Sequence, residues 1–198
     1  MSYEYSCKCG TVKIQFKGVP KGSYNCHCHA CIATAEFIKK KKGQPAGDRK
    51  DGAQISLWTD DQITAPAELK DMLTFVKVGP EGKNVRSYTT CCYTQCTVAG
   101  GAEFPVSLRP INRLHTKSTT DGSALELPAP IIHGQADAAF DPKKVPEPKD
   151  PGFPCMKAFM DQMAWDKSAW YKCIAPTPNP AFLAVPADVT EVVKITWE

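Results

Sequence analysis

Five cysteines near the start of the chain have the types and spacing to do chemistry: Cys7-Lys8-Cys9-Gly10, then Cys26-His27-Cys28-His29-Ala30-Cys31. Read as metal ligands, they form a C-x-C pair on a turn and a C-x-C-x2-C cluster. Structural zinc closes its coordination with four protein ligands, whereas catalytic zinc keeps one position open. Cys26, Cys28 and Cys31 supply three thiols, with no local fourth ligand unless His27 or His29 completes the set. Three thiolates on a divalent ion leave a complex of net charge −1, which polarises water weakly. A fourth, incoming thiolate would keep much of its nucleophilicity while being held in place. Such a centre suits the addition of a thiol to a small electrophile better than it suits hydrolysis.

The pattern allows two ions. One zinc would take Cys7 and Cys9 with thiols from the 91–96 segment, and the other would take Cys26, Cys28 and Cys31. The competing reading is a single structural zinc plus buried free cysteines, which are common core residues. His27 and His29 flank ligand positions. They read either as acid–base groups or outer supports beside the open position, or as solvent-facing residues on a tight loop. His115 and His133 stand alone in the sequence and read as surface residues. Cys155 and Cys173 lack partners at chelating spacing and read as core thiols. Lys39 to Lys42 reads as a solvated charge run. No Walker loop, G-x-G-x-x-G or H-E-x-x-H motif is present.

These residues must be positioned by a chain of 198 residues, enough for one domain, or one domain with a sizeable appendage. The net charge of +3 is mild and the basic residues are dispersed, so no nucleic acid is expected as a partner. The start lacks the apolar run of a secretory signal, and no run of 18 apolar residues suggests a membrane span. Ten cysteines in such a chain fit metal binding in a reducing intracellular compartment, cytoplasmic or organellar, better than a disulfide scaffold.

Seventeen prolines and thirteen glycines point to many turns and short strands. Val12 to Phe16 alternates apolar and polar residues and predicts a half-buried strand. Ile55 to Trp58, Leu73 to Val78 and Asn84 to Thr90 predict further strands, the last two joined by a turn at Gly79 to Gly82. Ile32 to Ile38 fits either a helical turn or a strand, and Lys39 to Gly52 reads as an exposed loop. Pro142 to Pro154 should be extended and irregular. An apolar stripe at helical spacing predicts an amphipathic helix near 156–172, and alternation predicts a final strand near 190–197.

The segment Cys7-Lys8-Cys9-Gly10-Thr11-Val12, a strand, then Cys26-His27-Cys28-His29-Ala30-Cys31 resembles the glutathione-dependent formaldehyde-activating enzyme and centromere protein V family. The resemblance covers roughly residues 5 to 110. It implies a mainly β fold, a Mss4-like β-tent of small antiparallel sheets around zinc. It also implies structural ligands at Cys7 and Cys9, and a labile, catalytic-type site at Cys26, Cys28 and Cys31. Where the family closes its structural site with C-x-x-C-G, this chain has Cys91-Cys92-Tyr93-Thr94. Adjacent residues of a strand face opposite ways, so only one of Cys91 and Cys92 is expected to grip the ion. Alignment with the family's Cys-Gly-Thr selects Cys92. The fourth ligand stays open among Cys91, Cys96 and water. After Cys31, Glu36 departs from the family's small-residue stretch, and its charge would disfavour a carboxylate-rich thiol such as glutathione.

The expected organisation is a zinc-binding β-tent domain at 1–110 and a C-terminal extension at 111–198. The expected function is a zinc-dependent carbon–sulfur lyase-like activity on thiol adducts of a small aldehyde or related electrophile. His27 or His29 would move protons, and a small thiol or its adduct would be the partner. The alternative is a non-catalytic zinc-binding structural or accessory subunit whose partners are proteins.

Overall fold

The computed structural model describes residues 1–78, 84–97, 108–125, 127, 131–134, 136, 141–147, 149–150 and 189–193. The fold is mainly β. β1 (Ser2–Ser6) and β2 (Lys13–Lys17) form an antiparallel pair. In β2 the predicted alternation is realised, with Ile14 and Phe16 buried between exposed Lys13, Gln15 and Lys17. β3 (Gly22–Cys26) leads directly into α1 (His29–Lys40). β4 (Gly47–Asp48) and β5 (Gly52–Thr59) follow, then the short β6 (Ile63–Thr64) and a 3-10 segment at Ala67–Met72. β7 (Leu73–Val78) pairs antiparallel with β8 (Asn84–Thr89) over the full length of both strands. β9 (Leu108–Asn112), β10 (Thr116–Ser118), β11 (Ile132–Gly134), β12 (Lys149–Asp150) and β13 (Val192–Val193) complete the described strands.

Among the described residues these strands make three small sheets: β10-β1-β2-β6, β12-β11-β3-β5-β4 with β9 also on β5, and β13-β7-β8. Most pairings are antiparallel, but β11 runs parallel to β3 and β12, and β13 runs parallel to β7. The boundary expected at 110/111 falls inside β9, while β10, β11 and β13 join sheets begun by earlier strands. The main apolar cluster gathers Tyr5, Ile14, Phe16, Trp58, Leu69 and Ile111 under the first sheet, with Phe16 stacked on Trp58 at 4.4 Å between ring centroids.

The segment left open between helix and strand is helical. Cys31, Ile32, Ala35 and Ile38 fall on one face and are buried, which is the helical spacing that burial requires. Cys28 caps the first turn, its sulfur accepting from the Cys31 N–H at 3.4 Å. Lys39 and Lys40 occupy the last turn, where they complement the negative end of the helix dipole. The 3-10 turn Pro142–Lys144 and β12 occupy the proline-rich stretch as far as it is described. The helix expected near 156–172, the turn at 79–82 and the 194–197 part of the last strand lie outside the described residues, as do Cys155 and Cys173.

α1 ends in a paired cap. Gly43 N–H donates to the Ile38 carbonyl at 3.0 Å and Lys42 N–H donates to Lys39 at 2.9 Å, with Lys42 at φ 58°. That left-handed position normally carries glycine. Exposed Lys42 therefore holds an unfavourable backbone conformation, costing roughly 1–2 kcal/mol, for a side chain with a solvated end. Lys42→Gly is expected to raise stability by about 0.5–1 kcal/mol, after the entropy of the glycine in the unfolded chain is deducted. A shift of the urea midpoint to lower values would contradict this cap assignment.

Lys41, next to that cap, ties the far end of the chain to α1. Its Nζ lies 2.7 Å from Glu191 Oε1 and 4.9 Å from the Phe37 ring centroid, and Tyr88 OH donates to Glu191 Oε2 at 2.6 Å. Lys39 to Lys42 is thus the end of a helix and its cap, where sequence reading expects a free loop. Among the described residues, no helix is long and apolar enough to cross a membrane.

Candidate metal centres

Two cysteine clusters could each hold a metal ion: Cys7, Cys9, Cys91 and Cys92, and separately Cys26, Cys28 and Cys31. Within each cluster the sulfurs all lie within 4.8 Å of one another. The eight cysteines among the described residues are free thiols.

The first cluster forms where two strands from different sheets end. β1 runs out at Ser6, and the Cys7–Gly10 turn closes by Gly10 N–H donating to the Cys7 carbonyl at 2.9 Å, with Gly10 at φ 78°. β8 runs out at Thr89, and the chain turns through Thr90, Cys91 and Cys92 with Tyr93 at φ 53°. Lys8 N–H donates to Thr94 Oγ1 at 3.0 Å and fastens one turn to the other. The sulfur–sulfur separations are 3.5 Å for Cys7–Cys9, 3.8 Å for Cys7–Cys91, 3.3 Å for Cys9–Cys91 and 3.8 Å for Cys91–Cys92. Four sulfurs bound tetrahedrally at about 2.3 Å sit about 3.8 Å apart, whereas a disulfide needs about 2.05 Å. The donor set therefore fits a four-coordinate thiolate ion.

This geometry corrects the expectation that Cys91 and Cys92 point opposite ways. Strand alternation does not apply to them, because the strand has already ended and both lie in the turn. Cys91 and Cys92 both lie in the four-sulfur cluster. Cys96 lies outside this cluster, fully buried in the apolar core with Tyr5 and Ile111. Without a cation the four thiols of the cluster titrate apart. Burial and then Cys9 raise Cys91 to about 12. Burial also acts against Cys92, but the hydroxyls of Thr89 and Thr94 outweigh it and bring that thiol down to about 6.

The second cluster forms at a strand-to-helix junction. Cys26 ends β3, Cys28 caps α1 and Cys31 lies in its first turn, so three ligands converge from six consecutive residues. Cys26 and Cys31 are buried and Cys28 is half-buried. Hydrogen bonds from Cys26 and Cys28, joined by the Arg86 guanidinium, hold Cys31 well below the usual thiol value against the effect of burial. Hydrogen bonds to Cys28 and Cys31, with burial, push Cys26 up. Arg86 on β8 is 2% exposed, and its Nη2 donates to Cys31 Sγ at 3.4 Å.

His27, between two ligands, is buried, so the solvent-facing reading does not hold. Its Nε2 lies 2.7 Å from His133 Nδ1, and its own Nδ1 has no hydrogen-bond partner among the described residues. His133 was expected at the surface, but β11 runs parallel to β3 with His133 opposite Asn25, which places the ring against His27 at 5.0 Å between centroids. Gly52 makes room for this pair. A Cβ there would stand 2.9 Å from both the Cys26 carbonyl and His27 Nε2. His29 starts α1 and is half-buried. Glu36 pairs with Arg49 at 2.5 Å, which offsets the charge expected to act beside this cluster. His115 is half-buried, its ring 6.3 Å from that of Tyr5.

Sequence reading missed Arg86 and His133 as parts of the site. Sequence reading places Arg86 only as the lead-in to Cys91 and Cys92, an arginine inside an otherwise apolar and hydroxylic strand, Val85-Arg86-Ser87-Tyr88. His133 carried no local signal, since its partner is 106 positions away.

The buried histidines give the fold a pH dependence. Burial is the leading cause that lowers His27, His133 and His115 below the ordinary value. The unfolded chain, with histidines near 6.5, then binds more protons than the folded one. Stability is therefore retained above about 6.5 and lost as the pH falls toward the folded values. His115→Gln and His133→Gln should each flatten the acid limb of a denaturant-midpoint profile. An unchanged limb in both would place the pH dependence elsewhere.

Comparison with protein-family models and with curated proteins returns no match for this chain.

Proposed function

We propose that the chain is a divergent member of the glutathione-dependent formaldehyde-activating enzyme and centromere protein V family, a Mss4-like β-tent with two zinc ions. Its proposed activity is carbon–sulfur lyase-like, on the adduct of a small thiol with a small aldehyde or related electrophile. The observation that carries this reading is the asymmetry of the two clusters. Cys7, Cys9, Cys91 and Cys92 make a complete four-thiol set, while Cys26, Cys28 and Cys31 stop one ligand short. Zinc bound by those three thiolates would hold a substrate sulfur as thiolate at neutral pH.

In the addition direction the substrate sulfur attacks the carbonyl carbon, a C–S bond forms, and the carbonyl oxygen takes up the proton lost by the thiol. The reverse direction breaks the same bond. His27 Nδ1, buried and without a hydrogen-bond partner among the described residues, is the ring nitrogen that would exchange that proton, since Nε2 is engaged by His133. The 2.7 Å contact fixes the ring, and burial keeps it neutral near pH 7 and thus able to accept. His29, at the start of α1, is the second candidate for proton transfer.

One observation favours the alternative, a non-catalytic zinc-binding structural or accessory subunit: Cys26 and Cys31 are each 4% exposed. A substrate sulfur would have to enter past Cys28. The deciding experiment combines metal analysis of wild type and Cys28→Ala with NMR of hydroxymethyl-thioether formation from formaldehyde and a small thiol. The enzyme reading expects two zinc ions falling to one, with the fold kept and the catalysed exchange lost. Two ions falling to one with no catalysed exchange in the wild type would establish the structural subunit.

A further inference from the structure

Arg86 is the most unusual side chain among the described residues. It is 2% exposed and sits in the middle of β8, and among the described residues its hydrogen bond is from Nη2 to the sulfur of Cys31. Nε and Nη1 are buried with no hydrogen-bond partner among the described residues. None of the ion pairs among the described residues includes it. A guanidinium cannot shed its proton in a protein, and burying a charge without an opposite one is prohibitively costly. Neutral thiols would not offset that charge; thiolates would.

The contrast with the other cluster sharpens the point. Cys9 and Cys91 are exposed, so water can screen the excess negative charge of four thiolates on one divalent ion. Cys26 and Cys31 are buried and water cannot do this for them. Three thiolates and a divalent cation sum to −1, and Arg86 brings the buried assembly to zero.

We propose that Arg86 is the specificity-determining counter-ion of the three-thiol centre, making it a neutral assembly that accepts an anionic fourth ligand, a thiolate, at its open position. This rests on the functional reading above and adds a charge rule to it. With Arg86, a bound thiolate leaves the buried site at −1. Without it the same ligand would leave −2, a charge the interior cannot screen. A neutral ligand such as imidazole changes the total in neither case. Arg86 touches the ligand sulfur Cys31 and acts on the open position through the charge of the assembly, so its role is positioning and selective rather than catalytic.

The test uses the full-length chain loaded with Co(II) as a spectroscopic stand-in for zinc. The four-thiol centre is closed and gives a constant background. Wild type, Arg86→Met and Arg86→Lys are titrated with 2-mercaptoethanol and with imidazole, reading the sulfur-to-cobalt charge-transfer and ligand-field bands. Zinc affinity is measured in parallel by competition with a chromophoric chelator. Arg86→Met should bind 2-mercaptoethanol at least tenfold more weakly and zinc at the three-thiol centre about 10–100-fold more weakly. Its affinity for imidazole should stay within about threefold. Arg86→Lys, which keeps the charge, should stay within about threefold of wild type for the thiol, and it decides the question if the methionine variant does not fold. Equal losses for thiol and imidazole in Arg86→Met, or a tenfold thiol loss in a folded Arg86→Lys, would overturn the charge rule while leaving the functional reading intact. A wild-type protein that loads two cobalt ions but takes no added thiol would overturn the functional reading, and the charge rule with it.

Discussion

Cys91→Ser is expected to weaken metal binding at the four-thiol cluster about a hundredfold, whereas Cys96→Ser leaves it unchanged. The two cysteines were indistinguishable as fourth ligands in the sequence, and the fold separates them by burial and position. Cys91 Sγ lies 3.3 Å from Cys9 and 3.8 Å from Cys7, on an exposed turn where serine fits without strain. Structural zinc contributes roughly 10–16 kcal/mol in small domains, so one ligand in four carries about 3 kcal/mol, a hundredfold or more in affinity. Cys96 is enclosed by the core that includes Tyr5 and Ile111. Replacing it should lower the unfolding midpoint while leaving the metal count unchanged. Elemental analysis of both purified variants, with thermal unfolding alongside, checks the pair. Retention of full metal by Cys91→Ser together with loss in Cys96→Ser would mean that the turn after β8 is wrongly placed.

Gly52→Ala should damage the second centre without touching a ligand. Gly52 sits at φ 72°, a left-handed conformation that costs other residues about 1–2 kcal/mol. The added methyl would also meet the Cys26 carbonyl and the His27 ring at 2.9 Å, closer than real Cβ contacts allow. Because one of those contacts is backbone, relief requires β3 and β5 to move apart at the register pair Cys26↔Ala53. A loss of at least about 2 kcal/mol is expected, with weaker metal retention at Cys26, Cys28 and Cys31 and an altered ¹⁵N signal for the His27–His133 hydrogen bond. A variant with wild-type stability and unchanged ring signals would contradict the close approach of β5 to the histidine pair.

The parts of the fold that were legible in sequence are those in which local pattern and burial agree. β2 alternates because one face packs on Trp58 and Tyr5 while the other meets water, and β7 and β8 are rich in residues that suit a sheet. α1 stayed ambiguous because Cys31 to Ala35 is a short apolar run, which periodicity alone does not assign to helix or strand. The 39–52 stretch read as a loop, although Asp51-Gly52 is a hairpin signal and Asp48 Oδ1 accepts from the N–H groups of Lys50 and Asp51. Its buried Ala46 and Gly47 support β5. The local half of each cluster was visible as spacing. What completes the clusters is long-range: Cys91 meets Cys7 across 84 positions, and Arg86 meets Cys31 across 55. A strand rule applied two residues past the end of β8 set Cys91 and Cys92 apart. The turn that brings them together depends on Tyr93 adopting a positive φ that its residue type does not announce.

The distance along the chain between ligands also decides how each centre answers to the supply of metal. Cys7 and Cys91 come from chain segments 84 positions apart, so the unfolded chain presents no such four-thiol set. An ion held there would bind the native state alone, and the equilibrium would shift toward it by RT ln(1 + [M]/Kd) as free metal rises. Cys26, Cys28 and Cys31 lie within six consecutive residues, and an unfolded peptide can still wrap them around an ion, which cancels part of any such gain. Scarcity of metal would therefore act on the fold more strongly through the first centre than through the second. The protein's melting temperature would follow free metal more steeply at one site than at the other.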